Sequence, residues 1–417
     1  MRLGSIRATL CVVACVIACA ACGSTVDSLG YDDTDSTVLH PLVKPASYPN
    51  PFGDLLGQTD AAIAAKIDAA FMQLFHGDPS TQAIYVEVGT DQAYIQDVLH
   101  GNEVRTEGMG LGMLIALELN KTDEFNRLWT YSKAVLEVDS GPNQGYFQSF
   151  CDPADNGTPT PCLDPFGLEQ FVMALLLAND RWGSTAANNY AADALALFHT
   201  LRHKEDDNGG VTGGVTDSFD PAQMLAFDFP DVASAGVTRP SIEMPGYYTL
   251  WQEATTDPFW TAAATAGRSL WQNSANPTTG LTPVRATFAG APLPTWNFFA
   301  PEGYRTQINV AIDQIWTGGT AWDVTESNRL LSFFSGVGIN TYGTSYSLDG
   351  TTVLNGAREP SLIVANGIAA VASTNADRSD YVSAVWNMAT PTGVARYYSG
   401  ILDLVGLLIL GGQLQVY

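Results

Sequence analysis

Segments in which apolar side chains recur at the 3.6-residue helical period follow one another along this chain, and this repetition constrains its fold most strongly. One segment, 171–177, is apolar almost all round, as is typical of a helix buried on every side. About twelve such segments, paired antiparallel, predict an all-α fold of the (α/α)6 barrel type. The expected helices lie near 58–76, 106–120, 122–138, 166–181, 184–203, 243–254, 256–274, 302–316, 319–337, 360–374, 376–388 and 398–411.

Three stretches between these segments break the helical pattern: 205–240, 279–297 and 336–355. They combine Gly- and Asp-rich turns with short strand-like runs such as 224–229. We expect small β-hairpins there, in loops on the active face of the barrel. No second linker interrupts residues 56–417, so we expect this range to form one glycosidase-like catalytic domain.

The first 22 residues are typical of a signal peptide, because Arg2 and Arg7 precede an apolar run too short to span a bilayer as a mature helix. The stretch Cys19-Ala-Ala-Cys22 resembles a bacterial lipoprotein cleavage site, which would make Cys22 the lipidated residue. A plain secretory signal is the alternative. Either interpretation predicts export, to the cell envelope through a lipid anchor or into the medium.

Residues 23–55 are rich in Ser, Thr, Asp and Pro and show no apolar period, which predicts a flexible tether. Outside the signal, two cysteines are left, Cys151 and Cys162, at the ends of a short loop. In an exported protein this pattern predicts a disulfide. Two thiols are too few ligands for a metal site, and we expect neither a metal nor another cofactor.

The formal charge of the chain is −24, from 43 acidic and 19 basic residues. Such a surface repels phosphate backbones, so nucleic acid is excluded as a partner. A neutral polysaccharide or oligosaccharide is compatible with it. We expect a monomer that meets a membrane only through the lipid anchor.

One carboxylate stands at the start of an apolar helix. Glu107 follows Arg105 and Thr106, and three alternating glycines, 108, 110 and 112, follow it. The glycines would let a bulky ligand approach the backbone, which favours a general acid in a cleft. The alternative is an ordinary glutamate in a first helical turn, stabilised by the helix dipole.

The run Val104-Arg-Thr-Glu-Gly-Met-Gly-Leu-Gly-Met113 resembles the signature of glycoside hydrolase family 8, whose catalytic acid is the Glu of this motif. Further stretches resemble family landmarks in the same order, between about 75 and 417. They are 219–221, 248–251, 327–334, 346–350 and 396–400. The resemblance implies the (α/α)6 barrel, Glu107 as the acid, and hydrolysis of β-1,4-linked sugars with inversion. The Arg-Thr-Glu-Gly-Met form is closer to the xylanase and oligoxylanase branch, which favours a xylan-like substrate; β-glucan and chitosan are alternatives.

Inverting hydrolysis needs a second carboxylate that activates water, roughly 6.5–9.5 Å from the acid. The family uses an Asp with an Arg three residues later; the matching positions are Glu302 and Arg305. Arg305 could hold Glu302 ionised and orient the water. A plain salt bridge between them is the alternative account of the pair, and Glu243 is an alternative base.

Two more positions depart from the family pattern. Phe166 stands where an Asp contacts the sugar, although Asp164 could reach in, and Ile242 replaces a tyrosine that helps to position the water. Arg105 beside the acid is a further positioning candidate. These changes leave open a competing class, a surface lipoprotein that kept the barrel and binds carbohydrate without hydrolysing it.

Aromatic side chains in loops or at helix starts are candidate platforms for sugar rings, whose CH faces pack on flat aromatic groups. Four fit this description: Tyr146, Tyr247, Trp296 and Tyr304. Tyr304, two residues after Glu302, could also position substrate or water.

Overall fold

Fourteen α-helices lie in the part of the chain that the computed structural model describes, residues 36–148 and 163–417 with the backbone of 150–152 and 158–159. Six form an inner ring: α3 (Thr106–Glu118), α5 (Pro165–Trp182), α8 (Pro245–Thr255), α10 (Pro301–Thr317), α12 (Pro360–Ala369) and α14 (Tyr398–Leu410). Six form an outer ring: α2 (Asp60–His76), α4 (Thr122–Tyr131), α6 (Tyr190–Arg202), α9 (Pro258–Ser274), α11 (Ala321–Val337) and α13 (Arg378–Asn387). Two short helices, α1 (Pro51–Leu56) and α7 (Lys204–Asn208), stand outside the rings.

All twelve expected helical segments therefore form helices, and the (α/α)6 barrel is confirmed. Each inner helix packs against the outer helix next to it, and α14 closes the ring by packing against both α12 and α3. Between α5 and α8 the ring is joined by side chains, because the Tyr248 hydroxyl donates to Glu169 Oε1 at 3.0 Å.

The sequence pattern explains which helices are inside. Every residue of α5 from Pro165 to Ala178 is buried, so this helix lies against neighbours on all sides. α4 is amphipathic instead, with Phe125 and Leu128 buried and Thr122 and Asp123 exposed. It continues into a π-helical turn, Ser132–Leu136.

The inner helices begin at one face of the barrel. Four of them, α5, α8, α10 and α12, have proline at the first position, where its missing N–H leaves no helical bond unmade. Contacts among the starts of the inner helices show that they lie together: Tyr398 donates to the Pro301 carbonyl at 3.1 Å. The loops that enter these helices therefore build the active face.

The described residues also form three small antiparallel sheets. One has five strands, β1 (Tyr85–Val88), β2 (Gln92–Asp97), β3 (Glu103–Arg105), β4 (Phe150–Asp152) and β5 (Thr158–Pro159), in that spatial order. The second pairs β6 (Val237–Thr238) with β7 (Ala286–Thr287), and the third has the order β10 (Val353–Asn355), β9 (Ser345–Ser347), β8 (Phe298–Phe299). The last two occupy the loops expected to carry hairpins; the first sheet was not expected.

The flexible tether was predicted over residues 23–55, and the last part of this range is folded instead. Leu42 and Phe52 lie in the hydrophobic core, and the Leu42 amide donates to Asp180 Oδ2 at 2.8 Å. Asn50 caps α1 by accepting from the Gly53 amide. Within the described residues, the folded part of the chain therefore begins before residue 56. A search for the helical repeat of apolar residues could not reveal this buried segment, because an extended segment can be buried without a regular spacing of apolar side chains.

Several predictions fall on residues outside the described range. Cys22 and the whole signal lie there, and so does Cys162; the backbone of Cys151 belongs to β4. The lipidation and the disulfide thus stay predictions. Among the described residues, no helix has the length and apolar character that crossing a bilayer would require.

Candidate active site

Glu107 stands where a strand turns directly into an inner helix. β3 ends at Arg105 and α3 begins at the next residue, so Glu107 occupies the second helical position. Arg105 fixes this junction through ion pairs with Asp97 at 2.6 Å and Glu103 at 2.9 Å. The Glu107 side chain is 19% exposed, so a solvent path to the carboxyl exists.

The glycines after Glu107 serve helix packing, and the expectation that they admit a ligand is wrong. A Cβ at Gly108 would lie 2.9 Å from the Tyr397 hydroxyl. A Cβ at Gly110 would lie 2.4 Å from Gln170 Cβ, closer than any real contact. Both positions are buried between neighbouring elements, and the missing side chains bring α3 close to α5 and α14.

Glu302 stands opposite, at the second residue of α10. Arg305, one turn later, binds both carboxylates: its Nη1 donates to Glu107 Oε1 at 2.6 Å, and its Nη2 donates to Glu302 Oε1. The Ser241 hydroxyl donates to Glu302 Oε2 at 2.6 Å. The guanidinium of Arg305 lies over the Phe166 ring, 5.1 Å from its centroid. Glu302 is 21% exposed, so both carboxyls border the same opening.

The environments of the two carboxyls displace their pKa values in opposite directions. Burial raises the pKa of Glu107, against the weaker opposing effect of Arg305. Burial also acts to raise the pKa of Glu302, but the charges of Arg305 and Arg239, with the hydrogen bond from Ser241, together outweigh it and lower the pKa. Opposite displacements of two neighbouring pKa values are the pattern expected of an acid and a base.

A chain of ion pairs extends from this centre along one wall. Asp164, the N-cap of α5, accepts from Arg239 Nη2 at 2.8 Å. Arg239 Nε lies 2.7 Å from Asp228 Oδ1, and Asp228 Oδ2 lies 2.7 Å from Arg285 Nε. The guanidinium of Arg285 covers the Trp296 ring at 4.5 Å. Asp164 is therefore near the centre, as the sequence predicts, and it is held by Arg239.

The charges in this group leave one negative charge unbalanced. The carboxyls are Glu107, Glu302, Asp164 and Asp228, and the cations are Arg305, Arg239 and Arg285. One proton makes the group neutral. Glu107 is the natural holder, because it accepts from a single donor while Glu302 accepts from two.

Glu243 is not a substitute base. Its side chain is fully buried, and its Oε1 accepts from the Ala226 amide at 3.1 Å and from Thr238 Oγ1 at 3.0 Å. Burial raises the pKa of Glu243 to about 8. A carboxyl sealed from solvent has no access to the water that a base must activate, so this candidate is wrong.

Three of the four aromatic side chains predicted to be platforms for sugar rings are buried, so these three predictions are wrong. Tyr146, Tyr247 and Tyr304 are buried. Their hydroxyls donate inside the protein, to the Thr216 carbonyl at 2.7 Å, to Gln170 Oε1 at 2.9 Å and to the Thr344 carbonyl. Trp296 is partly exposed at the rim and stays a platform candidate.

The floor of the site is apolar. Below Arg305 a cavity of about 30 Å³ lies on the barrel axis, lined by inner-helix side chains that include Leu114, Ile308 and Leu402. This apolar packing lies beneath the carboxyls, whose exposed atoms border the loop face. Within the described residues, His, Cys, Asp and Glu side chains do not group in threes that could hold a metal ion.

Four members of the site were not predicted: Ser241, Arg239, Asp228 and Arg285. Three polar residues at alternate positions, 239, 241 and 243, interrupt an otherwise apolar stretch before α8. This spacing is a usable signal, since buried polar groups need partners. The sequence does not reveal which partners they have.

An (α/α)6 barrel whose mouth holds two carboxyls bridged by one arginine is typical of helical-barrel glycosidases. The sequence profile of glycosyl hydrolases family 8 matches residues 87–412, and the chain belongs to this family.

Comparison with individual relatives supports the same family assignment. The chain is 32% identical to the reducing-end xylose-releasing exo-oligoxylanase Rex8A of Paenibacillus barcinonensis, over 87% of this chain and 94% of that one. It is also 32% identical to a reducing end xylose-releasing exo-oligoxylanase of Halalkalibacterium halodurans, over 87% and 92%. The xylobiose complex of a family 8 protein from Teredinibacter turnerae superposes with a TM-score of 0.83 at 32% identity, over 89% of this chain and 98% of that one.

Proposed function

We propose that this glycosidase hydrolyses β-1,4-linked xylooligosaccharides or xylan with inversion, with Glu107 as general acid and Glu302 as general base. The observation that carries the proposal is the shared guanidinium: Arg305 bonds both carboxyls, while their pKa values are displaced in opposite directions. Inverting hydrolysis requires this division of roles, because one carboxyl protonates the leaving oxygen while the other activates the attacking water.

The reaction would run in a single displacement. Glu107 gives its proton to the glycosidic oxygen as the bond from the anomeric carbon to that oxygen breaks. A water attacks the anomeric carbon from the opposite side, and Glu302 takes a proton from it. The product sugar carries the α configuration. Proton exchange with solvent then restores both carboxyls, and Arg305 holds them in register throughout.

Xylan-like substrates are favoured because the similar proteins named above release xylose or bind xylobiose. The acidic balance of the chain, −24, agrees with an uncharged chain of sugars. Trp296 at the rim, with its ring covered on one side by Arg285, would offer a flat surface to a sugar ring.

The test uses xylohexaose, β-glucan and chitosan oligomers with the wild-type protein, Glu107→Gln and Glu302→Gln. We expect turnover of xylohexaose, with the α-anomer formed first by NMR. Each variant should lose roughly 10²- to 10⁴-fold in kcat, the usual contribution of a general acid or base.

A substrate with a leaving group that needs no proton separates the two roles. On β-xylobiosyl fluoride, Glu107→Gln should approach the wild-type rate, whereas Glu302→Gln should stay inactive. Equal loss by both variants on the fluoride would refute the acid assignment. Binding of every oligomer without any turnover would refute hydrolysis and leave a carbohydrate-binding protein.

We also propose that the protein is exported and anchored through a lipid on Cys22, and that Cys151 pairs with Cys162. The charged and apolar parts of the first 22 residues support export. In a bacterial host, labelled palmitate should enter the wild-type chain and be absent from Cys22→Ala. Alkylation and mass spectrometry of the exported protein should find 151 and 162 in one linked peptide.

A further inference from the structure

We propose that Ser241 is a positioning residue for Glu302, and that its hydroxyl is what allows a glutamate to serve as the base of this site. The inference rests on the proposed hydrolytic function and deepens it. A role for Ser241 was not predicted from the sequence. Its hydroxyl also explains why the side chain at the position of the base is a glutamate, which is longer than the aspartate of the family.

The contact is direct and shielded. Ser241 is fully buried, and its hydroxyl lies 2.6 Å from Glu302 Oε2. A serine hydroxyl has one hydrogen to donate, and an ionised carboxylate can only accept. Ser241 therefore donates to Glu302.

The backbone around Ser241 is held from three sides. Asn309, on the same helix as Glu302, donates from Nδ2 to the Ser241 carbonyl at 2.9 Å. Trp271 Nε1 donates to the Pro240 carbonyl at 2.8 Å. Arg239 is bound to Asp164 at 2.8 Å. A hydroxyl on so rigid a segment can fix the carboxylate to within a few tenths of an ångström.

Each oxygen of Glu302 has its own anchor, Arg305 on Oε1 and Ser241 on Oε2. Aspartate at this position would be shorter by one carbon–carbon bond, about 1.5 Å. The 2.6 Å contact to Ser241 would then exceed hydrogen-bonding distance unless the bond to Arg305 were given up. The glutamate and the serine thus form a matched pair, in place of the shorter aspartate of the family.

The charged groups that face Glu302 are the same in every test variant. Arg305 lies on its own helix, Arg239 on the Ser241 segment, and Glu107 on the opposite inner helix. Removing the Ser241 hydroxyl leaves these charges in place and removes one donor to the ionised form. The acidic limb of the pH profile should therefore move to higher pH.

The experiment measures kcat and KM on xylohexaose for Ser241→Ala, Ser241→Thr, Glu302→Asp and the double variant Ser241→Ala/Glu302→Asp. A lost hydrogen bond to a charged group predicts a kcat roughly 10- to 100-fold lower in Ser241→Ala, with KM little changed. Ser241→Thr keeps the hydroxyl and should recover much of the rate. Glu302→Asp should lose roughly as much as Ser241→Ala.

The double variant supplies the decisive comparison. If Ser241 acts through Glu302, the double variant should be as slow as Glu302→Asp alone, because the aspartate no longer reaches the hydroxyl. Losses that multiply, or Ser241→Ala within threefold of wild type, would overturn the proposal. Thermal unfolding of each variant checks that the fold persists. A wild-type protein without turnover would instead overturn the proposed function itself.

Discussion

Replacing Glu243 by glutamine should make the protein more stable at pH 8 and leave its stability at pH 5 nearly unchanged. Glu243 is fully buried. Burial raises the pKa of Glu243 to about 8. Glutamine has the same shape, and its Oε1 can accept the same two hydrogen bonds from Ala226 and Thr238.

The sign follows from proton binding. The ordinary pKa of a glutamate is 4.5, and in the folded protein that of Glu243 is about 8. Between these values the folded state binds more protons than the unfolded state, so stability falls as pH rises through this window and levels off above it. A displacement of this size corresponds to about 5 kcal/mol at most. Local relaxation reduces this, and we expect a gain of about 1–3 kcal/mol at pH 8.

The assay is denaturant unfolding at pH 5, 6, 7 and 8. The wild-type protein should lose stability across the series, and Glu243→Gln should lose less. Glu87 provides the control, because its side chain is 62% exposed, so Glu87→Gln should leave the pH dependence unchanged. A Glu243→Gln protein that is less stable at every pH, with the wild-type slope, would refute the reasoning.

Three more outcomes are expected. The kcat/KM profile should be bell-shaped, since the raised pKa of Glu107 sets the alkaline limb and the lowered pKa of Glu302 sets the acidic limb; on β-xylobiosyl fluoride the alkaline limb should vanish in Glu107→Gln. Trp296→Ala should raise KM for xylohexaose roughly 3- to 10-fold with kcat little changed, which steady-state kinetics measures. Gly110→Ala should lower the free energy of unfolding by about 1–3 kcal/mol, because its Cβ would lie 2.4 Å from Gln170 Cβ; stability equal to wild type would contradict that packing.

The barrel could be predicted from sequence because its inner helices carry a strong signal. Runs such as 171–177 are apolar all round, and proline marks the starts of four inner helices. The first sheet was missed because four of its five strands have four residues or fewer. The segment around Leu42 was missed because its burial depends on a distant partner, Asp180.

The site was predictable only in part. Glu107, Glu302 and Arg305 belong to recognisable motifs, and the structure brings all three together. Tyr304 was misjudged because it is two residues from Glu302 and therefore lies on another face of α10, where its hydroxyl meets the Thr344 carbonyl. Ser241 was missed because its partner, Glu302, lies 61 residues further along the chain, and the sequence does not show which carboxylate a serine hydroxyl will contact.

The closure of the ring has a consequence for the order of assembly. Tyr397 packs against Gly108, beside Glu107, and Tyr398 bonds to the Pro301 carbonyl, beside Glu302. Residues translated late thus tie together the two helices that bear the reacting groups. A polypeptide cut before this point would contain both carboxyls and Arg305 but lack the element that closes the ring between their helices.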